Sequence, residues 1–414
     1  MATVDLDWQL ATLENGLRLI TIARPGTPTV AVRAYVRAGS RYDAHPGLAH
    51  LTEHLLFKGT RSHDQQQLFA AVERYGGILE ASTAKEYVCL YAVVPTQGLV
   101  TALDVLAEIL CEPALSPEAF RQEILVVQEE IRRAQDRQSA LFDLFAASLW
   151  TVHPLRQPIL GTETGLPGLE YESLRAFHGQ RYVAGNMVLV VCGDVAHDEV
   201  NRLASHRFAG LPVGQELPPL PVQEPQPAES RCAHIERDVH QVQVLIGVPT
   251  VSMAHEDRSA LKVVERLLGM GGSARLYQRL REELRLAFAV NTVTAHYEDA
   301  GFFAVHTACQ PHNVSRVRDE ILGQWQLLQR EGISGQELGS AKGNYAGTLA
   351  RRFETNLALA GIAGVEGLLH RVETPQEAVT RIGAVREDDV LRVAQRYLDV
   401  ERTVEVSLGR LNGA

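Results

Sequence analysis

The sequence predicts an α+β protein of two tandem homologous domains, each a mostly antiparallel sheet with helices packed on one face. Three observations carry that expectation. The chain has 414 residues, enough for two or more domains of ordinary size. A stretch at 211–230 holds Pro212, Pro218, Pro219, Pro221, Pro225 and Pro227, a density that disfavours helix and central strand and favours an extended connector. It divides the chain into a domain at 1–210, a linker, and a domain at 231–414. Strand-like and helix-like segments then follow one another in the same order on both sides, as a duplicated plan would give. Strands in pairs and helices in runs favour α+β over an alternating parallel architecture.

In the first half, strands are expected at 17–23 and 29–36, the second rich in Val and alternating in part. Apolar spacing gives helices at 48–57 and 65–75, and Gly76-Gly77 break the latter. Strands follow at 78–83 and 87–94, amphipathic helices at 97–110, 117–134 and 140–149, and a closing strand at 187–192. The second half repeats the order. A strand is expected at 242–248, then helices at 257–268 and 274–284 separated by Gly269, Gly271 and Gly272. Strands at 287–295 and 301–308, long helices at 314–331 and 335–352, and a closing strand at 403–408 complete it.

Composition excludes several classes. Apolar residues make up 45% and charged residues 22%, which rules out a mostly disordered or fibrous chain. The formal charge of −10 argues against a nucleic-acid-coating protein, since phosphate binding needs clustered positive charge. No apolar run approaches the roughly 18 residues needed to span a bilayer. Asp5 and Asp7 precede the first basic residue, Arg18, and no basic and apolar signal regions stand at the N-terminus. The cysteines Cys89, Cys111, Cys192, Cys232 and Cys309 are scattered, odd in number and form no CxxC pair, so they read as reduced. A cytoplasmic location is the expectation.

The strongest local signal is His50-Leu51-Thr52-Glu53-His54. On a helix the two histidines lie one turn apart on one face, where both imidazoles can reach a zinc ion at about 2.0–2.1 Å. Glu53 lies at the edge of that face, placed to take a proton from an activated water. The pattern is HxxEH, the inverted form of the HExxH zinc motif. Two surface histidines and a solvated glutamate would fit the same pentapeptide. A catalytic zinc takes three protein ligands and keeps a position open. The helix at 117–134 offers Glu123, Glu129 and Glu130 for the third, and Glu123 and Glu130, seven apart, share a face. The solvated side of an amphipathic helix would also carry such acids. A structural zinc would need a fourth ligand, often cysteine, and the motif contains none.

The longer segment Gly47-Leu48-Ala49-His50-Leu51-Thr52-Glu53-His54-Leu55-Leu56-Phe57-Lys58-Gly59-Thr60 resembles the zinc-site segment of the pitrilysin and mitochondrial processing peptidase family of inverted-zincin metallopeptidases. That resemblance implies Glu130 as third ligand, because the family's glutamate follows the second histidine at this spacing, with another glutamate, here Glu123, seven residues before it. The context Val126-Val127-Gln128-Glu129-Glu130-Ile131 agrees. It implies one zinc ion per chain on His50, His54 and Glu130, Glu53 as general base, and Glu123 as a carboxylate supporting the site. Gly76-Gly77 and then Ala81-Ser82-Thr83 resemble the family's glycine turn and substrate-facing edge strand, with Glu80 where the family usually has Asn.

Residues 273–288 resemble the family's other signature, in which an arginine and a tyrosine seven apart hold the scissile carbonyl and its oxyanion. Arg281 matches the arginine, but the tyrosine position is Phe288, and losing an oxyanion donor costs roughly 10²–10³ in rate. Some family members pair two half-length chains, one bearing the zinc site and the other the arginine–tyrosine pair. The resemblance therefore implies the zinc-bearing subunit of a heterodimer that cleaves peptides or unfolded segments, with a homologous partner supplying the Arg/Tyr pair. The alternative is a non-catalytic or weakly active subunit of the same fold that serves assembly or peptide binding.

Overall fold

The computed structural model describes residues 7–134, 138–220, 222–225, 229–369 and 373–411. The chain forms two compact units, and neither is a linear half. The first comprises Met1–Arg132, Gln157–Pro219 and Arg351–Glu373; the second comprises Arg133–Arg156, Leu220–Ala350 and Thr374–Ala414.

The first unit is built on six strands: β1 (Asp7–Thr12), β2 (Arg18–Ala23), β3 (Thr29–Val36), β4 (Ile78–Thr83), β5 (Val88–Pro95) and β6 (Met187–Gly193). Their order is β1-β2-β6-β3-β5-β4. Only β2 and β6 pair in parallel; every other pairing is antiparallel. On one face Leu19, Val30, Val32 and Val36 join a core with Leu51, Leu55, Leu103, Leu106 and Val127, side chains from the helices Leu48–Leu56, Leu99–Cys111 and Pro117–Ala134. On the other face Ile20, Ile22, Tyr35, Val188 and Val190 pack against Leu359, Ala360, Ala363 and Leu368 of the helix Asn356–Leu368. Small residues let that helix lie close: a Cβ at Gly364 would collide with the Tyr35 ring, and the Tyr35 hydroxyl donates to the Gly361 carbonyl at 3.1 Å. Cover on both faces explains why β6, MVLVVCG, is buried at every position.

The second unit holds β7 (Arg231–Glu236), β8 (Val242–Thr250), β9 (Ala287–His296), β10 (Gly301–Cys309) and β11 (Val404–Gly409), in the order β7-β11-β8-β10-β9. Here β7 and β11 pair in parallel, as β2 and β6 do, and the rest pair antiparallel. One face receives Leu141, Phe145, Ala146 and Leu149 of the helix Gln138–Leu149, packed on Leu245, Phe302, Val404, Val406 and Leu408. Phe303 alternates with Phe302 along β10 and meets Trp325 of the helix Val314–Glu331, 5.7 Å between ring centroids, in the layer on the opposite face. Apart from β1 the two sheets share one strand plan.

The expected α+β architecture and its helical layers are present, with two differences from the sequence expectation. Each sheet carries one further helix on its other face, and the stretch at 211–230, where one unit gives way to the other at Pro219/Leu220, is only one of several places where the chain passes between the units. Both have one cause. The helix covering the second sheet comes from 138–149 and the helix covering the first from 356–368, so each half of the chain supplies a cover to the other half's sheet. The described residues of 211–230 carry no helix or strand, as the prolines require. The strands Asp7–Thr12 and Arg231–Glu236 and the helices Tyr171–Arg181, His197–Arg207, Asn356–Leu368, Pro375–Ala384 and Glu387–Tyr397 were not foreseen. No helix of the described residues is long and apolar enough to cross a membrane.

Candidate metal centre

The helix Leu48–Leu56 is held at its start by two devices. Gly47 has φ 97°, and a Cβ there would come within 2.9 Å of the Leu160 carbonyl oxygen, so only glycine meets both conditions. Four residues earlier, the buried Asp43 carboxylate accepts from the Gly47 and Ala49 amides at 3.0 and 2.9 Å, which satisfies donors the first turn leaves open. Leu48, Leu51, Leu55 and Leu56 sink into the core and fix the rotation of the helix. His50 and His54 then stand side by side with ring centroids 4.6 Å apart.

The second element is the helix Pro117–Ala134, anchored by Phe120 and Val127. It brings Glu130 Oε2 to 3.8 Å from His50 Nε2 and 3.7 Å from His54 Nε2. Those separations exceed hydrogen-bond length. Two donors each 2.0–2.1 Å from one ion lie at most about 4.2 Å apart, so both spans fit a shared zinc. Among the described residues, His50, His54 and Glu130 are the one group of three His, Cys, Asp or Glu side chains whose ligand atoms all lie within 4.8 Å of one another.

The electrostatics suit a cation. Burial, helped by the neighbouring His54, pushes the His50 pKa down to about 3, which keeps the ring neutral, the form that binds metal. Glu123 is buried and accepts from His54 Nδ1 at 2.9 Å and Lys58 Nζ at 2.8 Å. That bond assigns the His54 proton to Nδ1 and leaves the Nε2 lone pair facing Glu130. Burial alone would raise the Glu123 pKa, but the bonds from His54 and Lys58 outweigh it and hold the carboxyl below its ordinary value. Glu53, from the same helix as the histidines, interacts electrostatically with His54 and Glu130 and accepts a hydrogen bond from the Thr83 hydroxyl. Burial raises its pKa, the Glu130 charge adds to the rise, and Thr83 and His54 oppose it. Glu129 points away, exposed, 3.2 Å from Arg132.

Ala81, Ser82 and Thr83 close β4, an edge strand of the first sheet. The Ala84 amide donates to the Tyr87 carbonyl at 2.8 Å, which sets the alternation of the β4–β5 ladder. Ser82–Cys89 is then a bonded pair, and Thr83–Val88 and Ala81–Leu90 lie between bonded pairs. The amides and carbonyls of Ala81 and Thr83 face the open edge; those of Ser82 are taken by β5. Of the three residues expected on a peptide-facing strand, two present main chain. Glu80 accepts from the Tyr91 hydroxyl.

Arg281 belongs to the second unit and is not part of this cluster. It sits in a π-helical turn, Gln278–Glu283, with its guanidinium 4.9 Å over the Tyr277 ring and 5.5 Å over the Phe288 ring. Phe288 is 69% exposed.

Sequence reasoning did not single out Asp43, Lys58 or the Thr83 hydroxyl. For Lys58 the signal was available, since it stands one turn beyond His54. Asp43 and Thr83 act across a loop and from a separate strand, and no local spacing announces them.

Comparison with known proteins places the chain in a family. The profile "Insulinase (Peptidase family M16)" matches 18–163, and "Peptidase M16 inactive domain" matches 168–345. A Streptomyces coelicolor protein named an uncharacterized zinc protease is 31% identical over 94% of this chain and 86% of its own length. The chain belongs to peptidase family M16. It is the short, two-domain form. YmxG of Bacillus subtilis, also named an uncharacterized zinc protease, is 28% identical over 93% of this M16 chain and 94% of its own. Among solved structures, a protease from Helicobacter pylori superposes with a TM-score of 0.91 at 25% identity, covering 97% of this chain and 99% of that one. A structure titled peptidase M16 inactive domain, from Pseudomonas fluorescens, reaches 0.88 at 21% identity over 98% of each chain, a likeness of fold. His50, Glu53, His54, Glu123 and Glu130 fall within the first M16 profile, Arg281 and Phe288 within the second.

Proposed function

We propose that the chain is a zinc-dependent endopeptidase acting on peptides or unfolded segments, with one zinc ion per chain. One observation carries the reading: two imidazole nitrogens converge within 3.8 Å of a carboxylate oxygen, with a further carboxylate, Glu53, close enough to interact with His54 and Glu130. The zinc-protease names of the relatives support it. His50, His54 and Glu130 would hold the ion and leave a coordination position for water or substrate. Zinc bound there supplies a Lewis acid that acidifies water and polarises a carbonyl. Glu53 takes the proton from the attacking water and returns it to the leaving amine nitrogen. Glu123 orients His54. The peptide pairs with the open edge of β4 through the main chain of Ala81 and Thr83, a mode that tolerates varied side chains.

In this reading a homologous partner subunit supplies an arginine–tyrosine pair for the oxyanion. Phe288 has no hydroxyl, and the Arg281 guanidinium lies over the Tyr277 and Phe288 rings. Metal analysis with a peptidase assay of Glu53→Gln tests the central claim: stoichiometric zinc with loss of cleavage supports it. A chain without zinc, or cleavage indifferent to Glu53, would remove it, and a chain with neither zinc nor cleavage is the non-catalytic alternative. Full activity of the isolated chain would remove the partner and leave the metal site standing.

A further inference from the structure

The Thr83 hydroxyl bond to Glu53 has no assigned role, and the geometry around it is specific. Leu79 and Ala81 of β4 pack into the same core as Leu51 and Leu55 of the histidine-bearing helix. Side chains alternate along a strand, so Thr83 points to that face, where its Oγ1 donates to Glu53 Oε2. Its amide and carbonyl, by the ladder alternation, point to the open edge. The end of β4 is itself pinned. Ser40 N donates to Ala84 O at 3.0 Å and Arg41 N to Lys85 O at 2.8 Å, which ties the hairpin turn to the segment leading into that helix. Gly39 allows the approach, since a Cβ there would overlap the backbone of Glu86 and Tyr87. Thr83 is thus held at a fixed distance from Glu53 by backbone on both sides.

We propose that Thr83 is a positioning residue for the general base. Its hydroxyl holds one Glu53 oxygen so that the other faces the reacting water, and a peptide strand pairing with the Thr83 main chain locks that arrangement as it docks. The inference rests on the reading of Glu53 as the base and adds a route by which substrate pairing organises it. A carboxylate on a flexible stem otherwise samples several rotamers, and productive proton transfer needs one of them.

The test uses the full chain in any preparation that cleaves peptide, with Thr83→Val, Thr83→Ser, Glu53→Gln and the Thr83→Val/Glu53→Gln double variant, and zinc content measured for each. Valine keeps shape and strand preference, so zinc stoichiometry should be unchanged. Losing a hydrogen bond to a charged group should lower kcat roughly 10–100-fold. KM should stay within about twofold and serine should restore most of the rate. On the residual rate that Glu53→Gln retains, Thr83→Val should cost nothing further, because the base it positions is gone. A crystal structure of zinc-loaded Thr83→Val should show the Glu53 carboxylate displaced or spread over rotamers. Inactive Glu53→Gln together with Thr83→Val at wild-type kcat, or with Thr83→Ser as impaired as Thr83→Val, would overturn the positioning role alone. Active Glu53→Gln would overturn the function proposed for the site, and this inference with it.

Discussion

Replacing Glu123 with Gln probes how far the metal site depends on a side chain that is not a ligand. The carboxylate serves two donors, one oxygen each: His54 Nδ1 at 2.9 Å and Lys58 Nζ at 2.8 Å. Glutamine has one carbonyl oxygen and must set its amide group against one of them. At least one charge-assisted bond is lost, about 1.5–3 kcal/mol each. If Lys58 keeps the carbonyl, His54 is free to rotate or change tautomer, and Nε2 no longer faces Glu130. A partner that orients a metal-binding imidazole in this way is worth about 10–100-fold in metal affinity, or about 1.4–2.7 kcal/mol. Competition against a chromophoric chelator, on the full chain at fixed pH, should show zinc affinity falling by that factor. Affinity within twofold of wild type would refute the argument that Glu123 sets the His54 ring.

The same residue makes a pH prediction. Its folded-state pKa lies below the ordinary 4.5, so its contribution to stability is fully present above that value and is lost as pH falls through the lower folded value. In chelated protein, the difference in thermal midpoint between wild type and Glu123→Gln should be full near neutral pH and should shrink as pH drops below 4.5; a difference that grows on acidification contradicts the sign. Gly364→Ala should destabilise the first unit by about 1–3 kcal/mol, read by chemical unfolding, because the added methyl meets the Tyr35 ring. Native stability in that variant would mean that the helix can shift away from the sheet at no cost.

The metal site was legible because its residues obey local rules. His50 and His54 are one helical turn apart, and Glu123 and Glu130 are two turns apart on another helix, so each pair can be placed before any tertiary structure is known. That the two helices bring those pairs together is a tertiary fact; it came from the resemblance, not from spacing. β6 announced itself by an apolar run. β7, RCAHIE, did not, because it is short and alternates half-buried Arg231, Ala233 and Ile235 with exposed Cys232, His234 and Glu236, so it shows no apolar run. The helix Asn356–Leu368, rich in Gly and Ala, has a weak amphipathic pattern because it packs through backbone proximity, and nothing in its composition names the sheet it covers.

That crossed ownership of the two covering helices bears on how the chain is made. Until residues 351–373 have left the ribosome, Ile20, Ile22, Val188 and Val190 lack the partner that keeps water off them. The first unit therefore cannot finish folding during its own synthesis; it waits for nearly the whole polypeptide, with a greasy surface to guard meanwhile. A fragment cut at the proline-rich connector would retain every side chain of the candidate metal site yet be born missing a wall, a poor starting point for dissecting this protein by truncation.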